Sequence, residues 1–221
     1  MKKKFLAKKS IFDITKFTTL DYPNHLACIL WFAKCNMRCS YCYNPQIVHG
    51  EGILTNEEIL NFLKSRRGKL DGVVLSGGEC TLNPDLIELC EEIKELGFKI
   101  KIDTNGLNSE VLKELIDFSL VDFIALDYKA PANKFKEITK NGSIEKFYKT
   151  LDMLIDKKFL FEARTTVHSD LLSEEDINSI ILDLHKRKYT GTYYLQNYLN
   201  VDETIEKLPE YSAPINKSLL N

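Results

Sequence analysis

Three cysteines, Cys35, Cys39 and Cys42, fall within eight residues in a C-x3-C-x2-C pattern. Thiols this close on one loop can turn their sulfurs toward a common point, where they bind a soft metal centre or pair as disulfides. Other segments carry side chains suited to hold a ligand. Ser76-Gly77-Gly78-Glu79 sets a carboxylate behind two residues without Cβ, so a ligand can approach the backbone while Glu79 accepts from a cationic group. Asp103-Thr104-Asn105-Gly106 and Asp127-Tyr128-Lys129 add acceptors and a cation. Period-two alternation puts Ala125, Asp127 and Lys129 on one strand face, and Glu162, Arg164, Thr166 and His168 on one face of another.

The elements that must position these groups alternate along the chain. His25–Ala33 is an almost unbroken apolar run, long enough for a buried strand, and the cysteines follow it directly. Phe12–Thr18 reads as a short leading strand turned back by Pro23-Asn24. Strands are expected at Gly72–Ser76, Lys99–Thr104, Phe123–Tyr128, Phe161–Val167 and Thr192–Asn197. Helices are expected from a capping box at Thr55 to about Arg66, from an N-cap at Asn83 with Pro84 in the first turn to a stop at Gly97, and from Ser109 to about Phe118. Two more run from about Ser143 to Lys157 and from the Ser173 cap to about Arg187, with Lys129–Gly142 a polar stretch between elements. Strand-then-helix units imply a parallel sheet with right-handed crossovers. Six units fit the chain; a closed eight-unit barrel typically needs ~250 residues, so an open six-strand partial barrel or a doubly wound sheet remains. In both, ligands bind at the carboxyl ends of the strands.

Taken singly, Gly77-Gly78 and Asn105-Gly106 are turn signals, Asp127 and Lys129 an ion pair, and His168 a polar strand end. Their common position at one edge of the sheet, beside the cysteines, is what makes them a candidate site. A structural zinc centre wants four protein ligands, and the local sequence supplies three, with Cys28, His49 or Cys80 as candidate fourths. The spacing is also not a common zinc pattern, and it favours an iron–sulfur cubane whose fourth iron is left open to chelate a ligand. Cys28 and Cys90 lie on apolar faces and read as core packing.

Composition narrows the setting. The 221 residues are 44% apolar, enough for a sizeable core in one domain, residues 1–221, with its core over about 12–200 and a loosely packed tail after about 201. Thirty basic against 32 acidic residues leave a formal charge of -2, which offers no footprint for general nucleic-acid binding. Lysines 2, 3, 4, 8 and 9 form a basic cluster that reads as a solvated terminus. No apolar run approaches the ~20 residues of a membrane span, and Phe5-Leu6-Ala7 is too short for a signal-peptide core. A cytoplasmic location is expected, where reducing thiol pools disfavour structural disulfides.

The three-cysteine loop, with Tyr41 before the last cysteine, and the Gly-Gly-Glu strand end resemble the radical S-adenosylmethionine superfamily. Within it, Asp21-Tyr22-Pro23, Cys42-Tyr43-Asn44-Pro45, Asp103-Thr104-Asn105-Gly106, Asp127-Tyr128-Lys129-Ala130-Pro131 and Arg164-Thr165-Thr166-Val167 resemble the activating proteins of anaerobic ribonucleoside-triphosphate reductase, over about Phe12 to Asn200. The resemblance implies an α/β fold, a partial (β/α)6 barrel with outer helices. It implies a [4Fe-4S] cluster on Cys35, Cys39 and Cys42, and S-adenosylmethionine chelating the open iron. It places Gly77, Gly78 and Glu79 at the methionyl amino group, Tyr41 at the adenine and Asp103 at the ribose or carboxylate region, with Asn105 a further cofactor-binding residue. Asp127, Lys129 and Arg164 would line the rest. The implied activity is that of a radical oxidoreductase: an external low-potential donor such as flavodoxin or ferredoxin reduces the cluster, and the sulfonium is cleaved to methionine and a 5′-deoxyadenosyl radical. That radical takes a hydrogen atom from a glycine of a glycyl radical enzyme, the anaerobic ribonucleotide reductase. No nucleic-acid or membrane partner is implied. The pattern is departed from at Cys80, where the family has proline after Gly-Gly-Glu, and at Gln196-Asn197-Tyr198, where some activases have histidine. The alternatives are a small-molecule member such as 7-carboxy-7-deazaguanine synthase and, outside enzymes, a zinc-stabilised scaffold protein.

Overall fold

The computed structural model describes residues 2–201, 203–210 and 215–220. In chain order its elements are α1 (Lys2–Leu6), β1 (Lys9–Thr18), β2 (Ala27–Phe32), α2 (Pro45–His49), β3 (Leu54–Thr55), α3 (Asn56–Lys64), β4 (Gly72–Gly77) and α4 (Leu86–Glu95). They continue as β5 (Lys99–Thr104), α5 (Ser109–Asp117), β6 (Phe123–Asp127), α6 (Ala132–Thr139), α7 (Ile144–Asp156), β7 (Phe161–Val167), α8 (Glu174–Lys186) and β8 (Tyr193–Asn197). The chain divides into two compact units, the first formed by 1–36, 46–104 and 110–124 and the second by 37–45, 105–109 and 125–221.

In the first unit the strands lie in the order β3-β1-β2-β4-β5. The β2, β4 and β5 strands pair in parallel, with Phe32 opposite Gly77 and Leu75 opposite Ile102. The leading strand β1 instead pairs antiparallel with β2 and β3, adding a two-stranded flap to the βα units. Because β2 and β4 are covered on both faces, they read as continuous apolar runs rather than alternations, and Ala27–Leu30 and Val73–Leu75 are buried. Tyr22, Ala27, Ile29 and Val74 form one core cluster, with Trp31 and Phe123 packed against it. Helix α3 starts where the sequence predicts: Thr55 accepts from the Glu58 amide and the Glu58 carboxylate returns to the Thr55 amide.

In the second unit β7 pairs in parallel with β8, in register from Ala163–Tyr193 to Val167–Asn197. Strand β7 alternates buried and half-buried along its whole length, as a strand with one polar face must. Phe147 on α7 stacks against Tyr128 with ring centroids 4.5 Å apart, and the Tyr128 hydroxyl donates to Asp183 on α8 at 2.8 Å. Past Val201 the described residues 203–210 form no helix or strand. Their backbone is nonetheless bonded to the cysteine loop: the Ile205 amide donates to Cys42 O at 3.3 Å and the Glu206 amide to Ser40 O at 3.1 Å.

Two expectations are corrected. Asn83 does not cap α4. Its backbone amide donates to Cys80 O and closes a short 3-10 turn over Cys80–Leu82, its side chain accepts from the Asp85 amide at 3.2 Å in an Asx turn, and the helix begins only at Leu86. The polar stretch 129–142 contains a helix, α6, which buries Phe135, Ile138 and Thr139; two apolar residues make a stripe too sparse to show as periodicity.

Candidate functional site

The first unit carries Cys35, the Gly-Gly-Glu turn and Asp103. Where β2 and β4 end, their chains stay joined: the Gly78 amide donates to Phe32 O at 2.8 Å and the Glu79 amide to Lys34 O at 2.9 Å. The two glycines are required by that closeness. Gly77 has φ of 110°, and a Cβ there would lie 2.6 Å from Phe32 N; a Cβ on Gly78 would run into Lys34 O. Glu79 is buried, and its Oε1 accepts from the Thr81 hydroxyl at 2.6 Å, the Thr104 hydroxyl at 2.9 Å and the Thr81 amide at 3.2 Å. Asp103 accepts from Ser76 Oγ at 3.0 Å on one oxygen and from Lys101 Nζ at 2.5 Å on the other. Cys35 is half-buried, its sulfur 3.9 Å from Asn36 Oδ1.

The second unit carries Cys39, Tyr41, Cys42, Asn105, Asp127, Lys129 and Arg164. The cysteine loop is pinned by backbone bonds from the Arg38 amide to Thr139 O and from the Ser40 amide to Ile138 O, both at the end of α6. Cys39 is buried with its sulfur 4.0 Å from Met37 Sδ, and Cys42 is half-buried. Tyr41 is buried, and its hydroxyl has no hydrogen-bond partner among the described residues. The Lys129 ammonium lies 5.9 Å from the Tyr41 ring centroid, within reach of a cation–π contact. Asp127 accepts from Lys129 Nζ at 3.0 Å and from Arg164 Nε at 2.9 Å. Burial alone would raise the Asp127 carboxyl, but the charges of Arg164 and Lys129 outweigh it and hold the group down at about 2. Burial pulls Lys129 the other way, yet Asp127, Tyr41 and Cys39 keep its ammonium well above the usual lysine range.

Asn105, Cys80 and His168 each make contacts within the chain. Asn105 Oδ1 accepts from the Leu107 amide at 3.1 Å, so it shapes the turn before α5. Cys80 is buried, and burial first and the Glu79 charge second push its thiol well up; it is a core thiol, not a fourth ligand. Cys28 and Cys90 are buried thiols as well, each pushed up to about 12 by burial. His168 holds the chain beyond β8: its Nδ1 accepts from the Asp170 amide, which leaves Nε2 to donate to Pro209 O at 3.1 Å. Lys101, Ser76 and Thr104 stand beside the expected residues without having been singled out. Period-two counting back from Asp103 is the signal that finds Lys101.

All six cysteines are free thiols. Among the described residues no group of three or more His, Cys, Asp or Glu side chains is gathered closely enough to hold a metal ion. The chemistry of the three loop cysteines suits an iron–sulfur cluster: they are reduced thiols on a loop anchored by its backbone. The orphaned Tyr41 hydroxyl is a buried polar group of the kind a bound ligand satisfies. No helix among the described residues is long and apolar enough to cross a membrane.

Comparison with known proteins agrees with the loop chemistry. The family model of the Radical SAM superfamily matches residues 29–184. A protein of Methanocaldococcus jannaschii, provisionally named a glycyl-radical enzyme activating enzyme, is 36% identical over 213 residues, covering 91% of this chain and 86% of that one. The pyruvate formate-lyase-activating enzyme of Clostridium pasteurianum is 30% identical over 217 residues, covering 94% and 84%. The 7-carboxy-7-deazaguanine synthase of Clostridium acetobutylicum is 28% identical over 189 residues, covering 81% and 78%. Among solved structures, Streptococcus suis SuiB aligns with a TM-score of 0.67 at 18% identity, over 80% of this chain and 40% of its own. At that identity the likeness speaks to fold alone, and it agrees with the α/β class and the partial (β/α)6 barrel expected from the sequence.

Proposed function

Because the chain belongs to the radical S-adenosylmethionine superfamily, whose members use a [4Fe-4S] cluster and S-adenosylmethionine, we propose that it is a glycyl-radical-enzyme activase acting on anaerobic ribonucleoside-triphosphate reductase. The observation that carries the activase reading is the pair of relatives named as activating enzymes, each matched over more than four-fifths of its length. When bound, cluster and cofactor supply a one-electron reductive cleavage of the sulfonium, giving methionine and a 5′-deoxyadenosyl radical that abstracts hydrogen from a glycine of the partner. The chain's own residues bind, orient and exclude.

Cys35, Cys39 and Cys42 are the proposed cluster ligands. The carbonyls of the Gly77-Gly78-Glu79 turn and the Glu79 carboxylate, held by two threonine hydroxyls, suit the methionyl ammonium. Asp103, beside the Asn105 turn, supplies acceptors for the ribose or amino-acid portion. Lys129 and Arg164 offer cations for a carboxylate, and Asp127 keeps both charged and in place. Tyr41 offers a flat apolar wall for the adenine and a hydroxyl with a bond to make. The electron comes from a low-potential carrier such as flavodoxin or ferredoxin, in the cytoplasm.

The test is to incubate the reconstituted, reduced protein with S-adenosylmethionine and the reductase and record EPR spectra. A glycyl radical on the reductase is expected. Deoxyadenosine formed with no protein radical on any partner would replace this reading with the second one, a small-molecule enzyme, which the similarity to 7-carboxy-7-deazaguanine synthase favours.

A further inference from the structure

Lys101 is a buried ammonium that the reading above does not use. It sits in the middle of β5, its side chain 2% exposed, between Ile100 and Ile102 in the core. Its hydrogen bond among the described residues is to Asp103 Oδ1, at 2.5 Å. Taking an ammonium out of water is costly, and an apolar side chain of similar length would fill the same space without that cost. The bond also ties nothing together, since Lys101 and Asp103 are two residues apart on one strand. What it does fix is the carboxylate. Lys101 takes one oxygen of Asp103 and Ser76, reaching across from β4, takes the other at 3.0 Å. A carboxylate held at both oxygens has one orientation.

We propose that Lys101 is the positioning residue for Asp103: together with Ser76 it holds the carboxylate as a preset acceptor for the donors of S-adenosylmethionine. The inference rests on the reading of Asp103 as a cofactor contact.

The test is a double-mutant cycle on cofactor affinity, read by equilibrium dialysis of S-adenosylmethionine against the cluster-reconstituted protein, with thermal midpoints recorded alongside. Lys101→Met is expected to weaken binding roughly tenfold, the usual scale for losing a supporting contact behind a ligand. Asp103→Asn should weaken it at least as much, and the double variant no further. Lys101→Arg should restore most of the affinity. If Lys101→Met fails to fold, Lys101→Gln, which keeps an N–H donor, takes its place in the cycle. A lowered thermal midpoint with unchanged affinity makes Lys101 merely structural and overturns the proposal. So does a loss that adds in full to that of Asp103→Asn, because Lys101 then acts by another route. If Asp103→Asn itself binds as tightly as the parent, the cofactor-contact reading fails first, and the positioning role falls with it.

Discussion

Asp127 is the residue whose state is set most firmly by its neighbours. Its carboxyl is held at about 2 against an ordinary 3.8. A group depressed in the folded state stabilises above its unfolded value and loses that contribution as pH falls through its folded value, here from about 4 down to about 2. The shift corresponds to about 2 kcal/mol, with Arg164 the larger contributor. Arg164→Met should therefore cost on the order of 2 kcal/mol at pH 7, and urea denaturation at pH 7 and pH 3 should show the deficit shrinking in acid, where Asp127 is protonated more readily. A deficit that stays constant over that range would place the effect in packing. At this scale the sequence was informative wherever chemistry follows type and spacing: Asp127 and Lys129 were expected on one strand face and Arg164 on a polar face of another strand, and the three meet. Lys101 shares a strand face with Asp103 by period-two counting, but a lysine alternating with apolar residues reads as solvated until a neighbouring strand is known to cover it.

Elements were legible in proportion to how local their signals are. β5 and β7 have the bounds their alternation predicts, and α3 and α8 open on capping boxes at Thr55 and Ser173. The start of α4 was not legible, because Asn83 can cap a helix or close an Asx turn and the sequence does not choose between them. The Gly-Gly-Glu turn shows the same limit in another way. Its glycines were expected to admit a ligand, and the structure adds a second demand, since each is required by the backbone of the neighbouring strand's end. Gly78→Ala is accordingly expected to force apart the ends of β2 and β4, at roughly 1–3 kcal/mol. A urea midpoint shift would register it, with faster hydrogen exchange at the Gly78 and Glu79 amides; an unchanged midpoint would mean the Lys34 segment yields freely.

At the scale of the molecule, the cysteine count is the decisive statement. Three loop ligands leave a fourth position open, which suits a cluster that chelates a bound molecule, whereas a structural zinc site closes on four. Protein purified without oxygen is expected to be brown and to contain iron with acid-labile sulfide, and Cys42→Ala to lose both; colourless protein with stoichiometric zinc would establish the scaffold alternative. The family could be read from the sequence because its motifs lie in the loop and strand ends. The partner could not, since the surface that selects it leaves no short motif. One further consequence follows from the bonds that Ile205 and Glu206 make to Cys42 and Ser40. Donor and acceptor are about 160 residues apart, so at ribosomal rates of ~5–20 residues per second the loop emerges on the order of 10 s before the segment that fastens it. The thiols are thus made first and secured last, an interval in which a delivery system can reach them and oxidation can as well. A chain truncated after Asn200 should lack that last fastening and keep only the bonds to the end of α6, so the Arg38 and Ser40 amides should exchange faster than in the full chain; unchanged rates would mean that α6 alone secures the loop.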